Sequence, residues 1–394
     1  MTQLTEDPQR TVPYGAVFAP APPRRRAWPW ILVVGLVALL AVGAAAVHVW
    51  ANLSFDQAHA SAAQAAVVYE GTAESARVAA DGGATEVSAA SSIIASAVDD
   101  LVDASARAEL AEAAGQLDDA VDEAEQLLDV TAPAVDVAKP AWPWELFAAA
   151  SDLDEAAPAL RAQADGLGAV AGAVDAESDA LTAAAVQLYA SVPAAADALE
   201  AEHISARATV MLDFVEAAQR AAGQERAGSG AELAFTAYAN AAEALQTSSA
   251  AELAEKAGPL LETRLTIEEY ARSIAGGVTL DFDWAPVVNG VGGFLGMAGT
   301  ATWNTGRGGF STITLSDSVA TNWPSLDAQA LVTHEVGHAI TSKCSDLFDS
   351  DDPDQNELWA TAWAISMGFD TPGNGTQAYG YPPQELIDIA ATCR

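Results

Sequence analysis

The sequence predicts a mainly α protein: an N-terminal transmembrane helix, a long α-helical bundle or coiled-coil region, and a small α+β domain at the C-terminus. Three observations predict it. Residues 27–50 contain no Asp, Glu, Lys or Arg. Residues 51–275 are dominated by Ala, Leu, Gln and acidic helix formers, with apolar residues at 4-3 spacing. Gly276-Gly277 then opens a stretch in which Gly, Thr, Trp and Phe rise and alternating segments appear. The expected organisation is a disordered tail over 1–26, a span over 27–50, an acidic helical region over 51–275 and a compact domain over 276–394.

Charge sets the first limit on function. The 394 residues carry 17 basic and 54 acidic side chains, a net charge of -37. Such a charge argues against nucleic acid as the main partner, because a phosphate backbone requires a dense Lys/Arg footprint. The tail alone is positive, with Arg10, Arg24, Arg25 and Arg26 against Glu6 and Asp7. Its prolines (Pro13, Pro20, Pro22, Pro23) suit a disordered segment.

The uncharged stretch runs from Trp28 to Trp50 through Ile31, Leu32, Leu36, Leu39, Leu40 and Val47. About 20 such residues, each rising 1.5 Å, cross a hydrocarbon core of roughly 30 Å. Trp28, Trp30 and Trp50 mark its ends, where indoles favour the headgroup region. Arg24–Arg26 precede it, so the positive-inside rule keeps the N-terminus cytoplasmic and puts the bulk of the chain outside. A cleaved signal peptide is the rival, with Val42–Ala46 as the small-residue site. The length of the apolar run and of the tail before it favours an uncleaved anchor, and either reading exports the main body.

In the helical region, Leu110, Ala114, Leu117, Val121, Ala124 and Leu128 form a coiled-coil seam, continued upstream by Ile94, Val98 and Leu101. Breaks are expected at Pro133, Pro140 and Pro143, at Gly166 and Gly168, and at Gly228-Ser-Gly230. At least three or four helices folding back on one another as a bundle or stalk fit this pattern, with helical self-association as a further expected role. His59 and His203 are packing or surface residues in this reading.

In the C-terminal domain, Thr300–Trp303 and Phe310–Leu315 read as strands joined by the turn-rich Asn304–Gly309. Ser325 caps a following helix, with Asp327 at its positive end. That helix carries Thr333-His334-Glu335-Val336-Gly337-His338. Two imidazoles four residues apart share one face and can hold one Zn²⁺, with Glu335 between them as general base. The third ligand must be a carboxylate, since no histidine follows His338. Thr341 and Cys344 stand where metzincins need Gly and His, which excludes that arrangement. Asp346, Asp349, Asp351, Asp352, Asp354 and Asp370 compete with Glu357 for the place. The Asp cluster lacks an EF-hand pattern and suits a solvated acidic loop.

With this HExxH segment and Asn356-Glu357 nineteen positions after the second His, the chain resembles the gluzincin zinc metallopeptidases, their very small members above all, over roughly residues 300–390. The resemblance implies a zincin-like domain, one catalytic zinc held by His334, His338 and Glu357, and water in a fourth position. It also implies an Asp four residues after the ligand Glu to orient the first His; Thr361 stands there instead, which weakens that role or moves it elsewhere. Gly375–Gly380 is similar to an aspzincin motif but lacks its Asp ligand.

Cys344 and Cys393 are the two cysteines and, in an oxidising compartment, read as a disulfide closing a loop of about 50 residues, worth roughly 4 kcal/mol. Tyr379 and Tyr381 are the candidate donors to a reaction oxyanion. Phe310–Leu315 reads as a half-buried edge strand able to pair with an extended peptide. Together these features predict a membrane-anchored, extracytoplasmic zinc metallopeptidase acting on peptide or protein substrates. The alternative is a non-catalytic envelope protein whose helices bind partners and whose metal domain has become structural.

Overall fold

The computed structural model describes residues 28–98 and 100–394. The tail expected over 1–26 lies outside the described residues. The chain is mainly helical and divides into two compact units, one formed by 28–70 with 132–163 and the other by 71–131 with 164–394. Helices α1 (Trp28–Ser96) and α3 (Pro143–Glu202) contribute to both.

In the first unit, α1 begins with a stretch long and apolar enough to cross a membrane. Its large side chains, from Trp30 to Trp50, are exposed. Beyond it, Ala51, Phe55, Ala58, Ala62 and Ala65 pack on Leu146, Ala150, Leu153, Ala157 and Leu160 of α3. Phe147 meets Trp50 edge-on at 5.3 Å, and Arg161 donates to the Ser61 hydroxyl at 3.0 Å. Residue numbers on the two helices rise together, so they run parallel. Ala at most contact positions lets the backbones approach closely, and the few large residues supply most of the buried area.

In the second unit, α2 (Ala104–Leu128), α4 (Ala208–Ala222) and α5 (Ser229–Glu255) pack with α3. Five seam residues of α2, from Leu110 to Ala124, lie on its buried face with Ala106 and Ala113. The seam does not continue upstream as one helix. α1 ends at Ser96 and Val98 is exposed, while Asp103 starts α2 afresh by accepting the N–H groups of Ser105 and Ala106. Nor does α3 break at Gly166 or Gly168: the burial of Leu167, Val170 and Val174 outweighs the roughly 1 kcal/mol cost of each glycine. The proline breaks before α3 and the glycine break before α5 are present.

Helix α6 (Leu261–Ile274) leads into a three-stranded sheet of order β1-β3-β2. β2 (Gly299–Asn304) and β3 (Phe310–Ser316) are the two expected strands, and they pair antiparallel with Ala301 opposite Ile313. β1 (Thr279–Ala285), not expected from the sequence, pairs parallel to β3, with Phe282 opposite Ile313. Phe310–Leu315 is therefore the central strand and not an edge. β2 is the outer strand on that side. The missed signal was the alternation Leu280-Asp-Phe282-Asp-Trp284, masked by Asp281, which is buried because it accepts the N–H of Ala208 at the start of α4. A buried ion cluster sits nearby: fully buried Glu268 pairs with Lys256 at 3.1 Å and Arg272 at 3.3 Å and accepts the Trp284 indole N–H at 3.0 Å.

After the short α7 (Asp317–Asn322), α8 (Leu326–Cys344) packs on the sheet through Val332, Val336 and Ile340. The Ser325 hydroxyl caps it at Ala328. α9 (Pro353–Ser366) lies against α8 and brings Trp359 and Trp363 into the same core. Two short helices, α10 (Thr376–Tyr379) and α11 (Gln384–Ala390), end the chain. Cys344 and Cys393 form a disulfide with Cα atoms 6.3 Å apart, tying the C-terminus to the end of α8.

Candidate metal centre

Helical periodicity places His334, Glu335 and His338 on α8 within one turn, all buried. The approach of α9 depends on Gly337. A Cβ there would stand 2.9 Å from the Ala360 backbone, so only glycine lets the two helices meet this closely. The crossing is held by the Trp359 indole N–H, which donates to the Gly337 carbonyl at 3.2 Å. It carries Glu357 to the histidines. His334 Nε2, His338 Nε2 and Glu357 Oε2 lie 3.2 Å from one another. Among the described residues, these three form the group able to hold a metal. The Asp residues of the 346–354 loop do not form another; Asp352 instead caps α9.

The other face of each ring fixes its chemistry. His338 Nδ1 is 2.8 Å from Asn356 Oδ1, whose orientation is set by its amide N–H₂ donating to the Ser350 carbonyl. His334 Nδ1 is 3.0 Å from the Asn374 carbonyl and 3.4 Å from Thr361 Oγ1. Both Nδ1 atoms face acceptors and must carry the N–H, which leaves both Nε2 lone pairs bare. Two lone pairs and a carboxylate oxygen thus converge with no donor among them. Such a group could hold a metal ion.

Burial works against ionisation of Glu357, but the two imidazoles 3.2 Å away outweigh it and bring its carboxyl down to about 2. Burial holds His334 below the usual imidazole value. For His338 burial acts the same way, but the contact with Glu357 and the charges of Glu335 and Glu357 lift it. Burial pushes Glu335 up to about 7, and its Oε2 has no hydrogen-bond partner.

Two cavities of about 430 Å³ each open beside this cluster, sharing Asn289, Gly299, His334, Glu335 and Tyr379. β2 forms part of one wall through Thr300, Ala301 and Trp303. Tyr379 stacks on His334, with ring centres 5.9 Å apart and 7° between planes. Burial, with the charges of Glu357 and Glu335, raises its hydroxyl to about 12, so it remains a proton donor. Tyr381 does not join the site; its exposed phenol donates to Asp370 at 3.3 Å.

The orienting partner expected at 361 is largely elsewhere. Thr361 reaches His334 only at 3.4 Å, and the nearer acceptor is the main-chain carbonyl of Asn374. Asn374 is fully buried, its amide held between the Phe369 carbonyl and the Thr376 N–H. No residue type announces a carbonyl, so this role carried no sequence signal. Gly375, with φ +97°, makes it possible: a Cβ there would meet His334 Nδ1 at 2.9 Å.

No protein-family model, no curated protein and no solved structure matches this chain.

Proposed function

We propose that this chain is a zinc-dependent peptidase of gluzincin type, anchored by residues 27–50 with its N-terminus cytoplasmic and its C-terminal domain outside the membrane. The observation that carries the reading is the convergence of His334, His338 and Glu357 around a donor-free point, beside the unpartnered carboxylate of Glu335. When bound, zinc supplies Lewis acidity toward a peptide carbonyl and acidifies water.

The chain's own residues do the rest. Glu335, with its carboxyl raised to about 7, can both take a proton from the attacking water and return it to the leaving amine. Tyr379 offers its hydroxyl to the carbonyl oxygen as negative charge builds there. The outer edge of β2 offers main-chain groups to an extended peptide, while the cavities to either side of Glu335 receive flanking side chains. Asn356 and Asn374 keep both Nε2 lone pairs directed at the centre.

The test is zinc content and peptide cleavage by the full chain in detergent or nanodiscs, alongside Glu335→Gln. The expected result is one zinc per chain in both proteins and loss of about 10²–10⁴-fold in kcat/KM for the variant. Zinc bound at stoichiometry with no cleavage of any peptide library would instead favour the non-catalytic, partner-binding alternative.

A further inference from the structure

Outside the apolar stretch of α1, with its exposed Trp30 and Trp50, the first unit exposes two more tryptophans at a single turn. Trp142 and Trp144 are 57% and 64% exposed, and their rings stack with centres 5.1 Å apart. An indole buries roughly 150–250 Å² when covered, so an uncovered pair leaves a substantial apolar surface in water. Pro143 between them starts α3.

The position of the pair along α1 follows from contacts within the unit. On the incoming link, Lys139 bonds Asp56 at 2.6 Å, with its ammonium 5.6 Å from the Phe55 ring. On the outgoing helix, Phe147 meets Trp50. The link therefore passes from the level of residues 55 and 56 toward the N-terminal end of α1, reverses at Pro143, and returns as α3. Trp144 precedes Phe147 by about one turn, which puts it roughly 5 Å beyond Trp50 on the side of Val47. The turn is thus level with the last residues of the uncharged stretch. Val47, Val49 and Trp50 are exposed there, so the two apolar surfaces adjoin.

We propose that the Pro140–Trp144 turn is a second membrane contact, with Trp142 and Trp144 seated in the lipid headgroup layer where α1 leaves the hydrocarbon. The occupant follows from the side chains and from continuity. Indoles, apolar on the face and polar at the N–H, favour that layer above others. The surface they extend is the one that residues 30–50 present on every side. Lys139 and Glu145, the charges flanking the pair, remain in the hydrated zone. With α1 this gives the unit two attachment points, which restricts its tilt on the membrane. The inference rests on reading residues 27–50 as a span.

The experiment uses the full chain labelled with 5-fluorotryptophan in nanodiscs of phosphatidylcholine and phosphatidylglycerol. Single Trp→Phe substitutions assign the resonances. Broadening is compared between a headgroup-labelled nitroxide lipid and a soluble gadolinium chelate. Trp142, Trp144 and Trp50 should each lose about two-fold or more of their peak height to the nitroxide lipid and less to the chelate. If Trp30 and Trp50 respond to the lipid while Trp142 and Trp144 respond only to the chelate, the span stands and the second contact is wrong. If Trp142 and Trp144 respond to neither probe, a protein surface covers them, a second copy of the chain included, and the proposal fails. If Trp30 and Trp50 also ignore the lipid, the span falls and the contact with it.

Discussion

Two helix pairs in this molecule are built from the same device and put it to different use. Where α1 meets α3, small residues (Ala58, Ala62, Ala65) allow close approach, and the gap is filled by Phe55, Leu146, Leu153 and Leu160. Where α8 meets α9, Gly337 and Ala360 touch, and the space beside them holds two tryptophans and a buried set of His, Glu and Thr side chains. Close backbone contact is thus only a means. A pair that encloses aliphatic groups alone is a scaffold; one that encloses ionisable groups with fixed partners suits the chemistry proposed above. The difference also predicts fragility, since polar groups taken from water are costly to orphan, whereas an Ala-rich contact loses little at any single position.

The largest effect on stability is expected where a charge is orphaned. Glu268→Ala leaves Lys256 and Arg272 short of their buried counter-charge, and denaturant unfolding should show a loss of about 3–5 kcal/mol. Next comes the proposed metal centre. Gly375→Ala drives a methyl into the His334 ring and Thr361, and chelator competition should report zinc affinity about 10–100-fold weaker, with helix content by circular dichroism preserved. In the scaffold pair, Ala58→Gly removes one methyl and adds backbone freedom, for about 1 kcal/mol. A loss there as large as that of Glu268→Ala would overturn the contrast.

The smallest effect concerns acid. Hydrogen bonds from the Ser105 hydroxyl and the Ala106 and Ser105 N–H groups hold Asp103 below its usual carboxylate value. A carboxyl lowered by folding stabilises at pH above its unfolded value, near 4, and that contribution is lost as pH falls through the folded value. Thermal melts should therefore show wild type losing slightly more stability than Asp103→Asn below about pH 4, and no difference in trend above about pH 5.

What was legible in the sequence was what side-chain type and spacing encode. The uncharged run, the α2 face from Leu110 to Ala124, the β2–β3 pair with its glycine turn, the capped α8 and the cysteine pair all declare themselves that way. What was not legible depends on partners distant in sequence. β1 was hidden because buried Asp281 looks like a solvent residue until Ala208 is placed beside it. Phe310–Leu315 looks the same in the middle of a sheet as at its edge. Val98 fits the seam by spacing but falls beyond the end of α1. Tyr379 and Tyr381 are equivalent in sequence, and only the turn ending at Gly380 sends one to His334 and the other to Asp370.

The ring of His334 leans on an acceptor that belongs to the polypeptide itself. A peptide oxygen takes up no proton at any pH at which the fold survives, so acidity does not switch this support off. Nor can a codon change at position 374 delete it, because every amino acid brings the same C=O. At position 374 a substitution can only shift that oxygen, by releasing the buried amide; at Gly375 any side chain strikes the His334 ring itself.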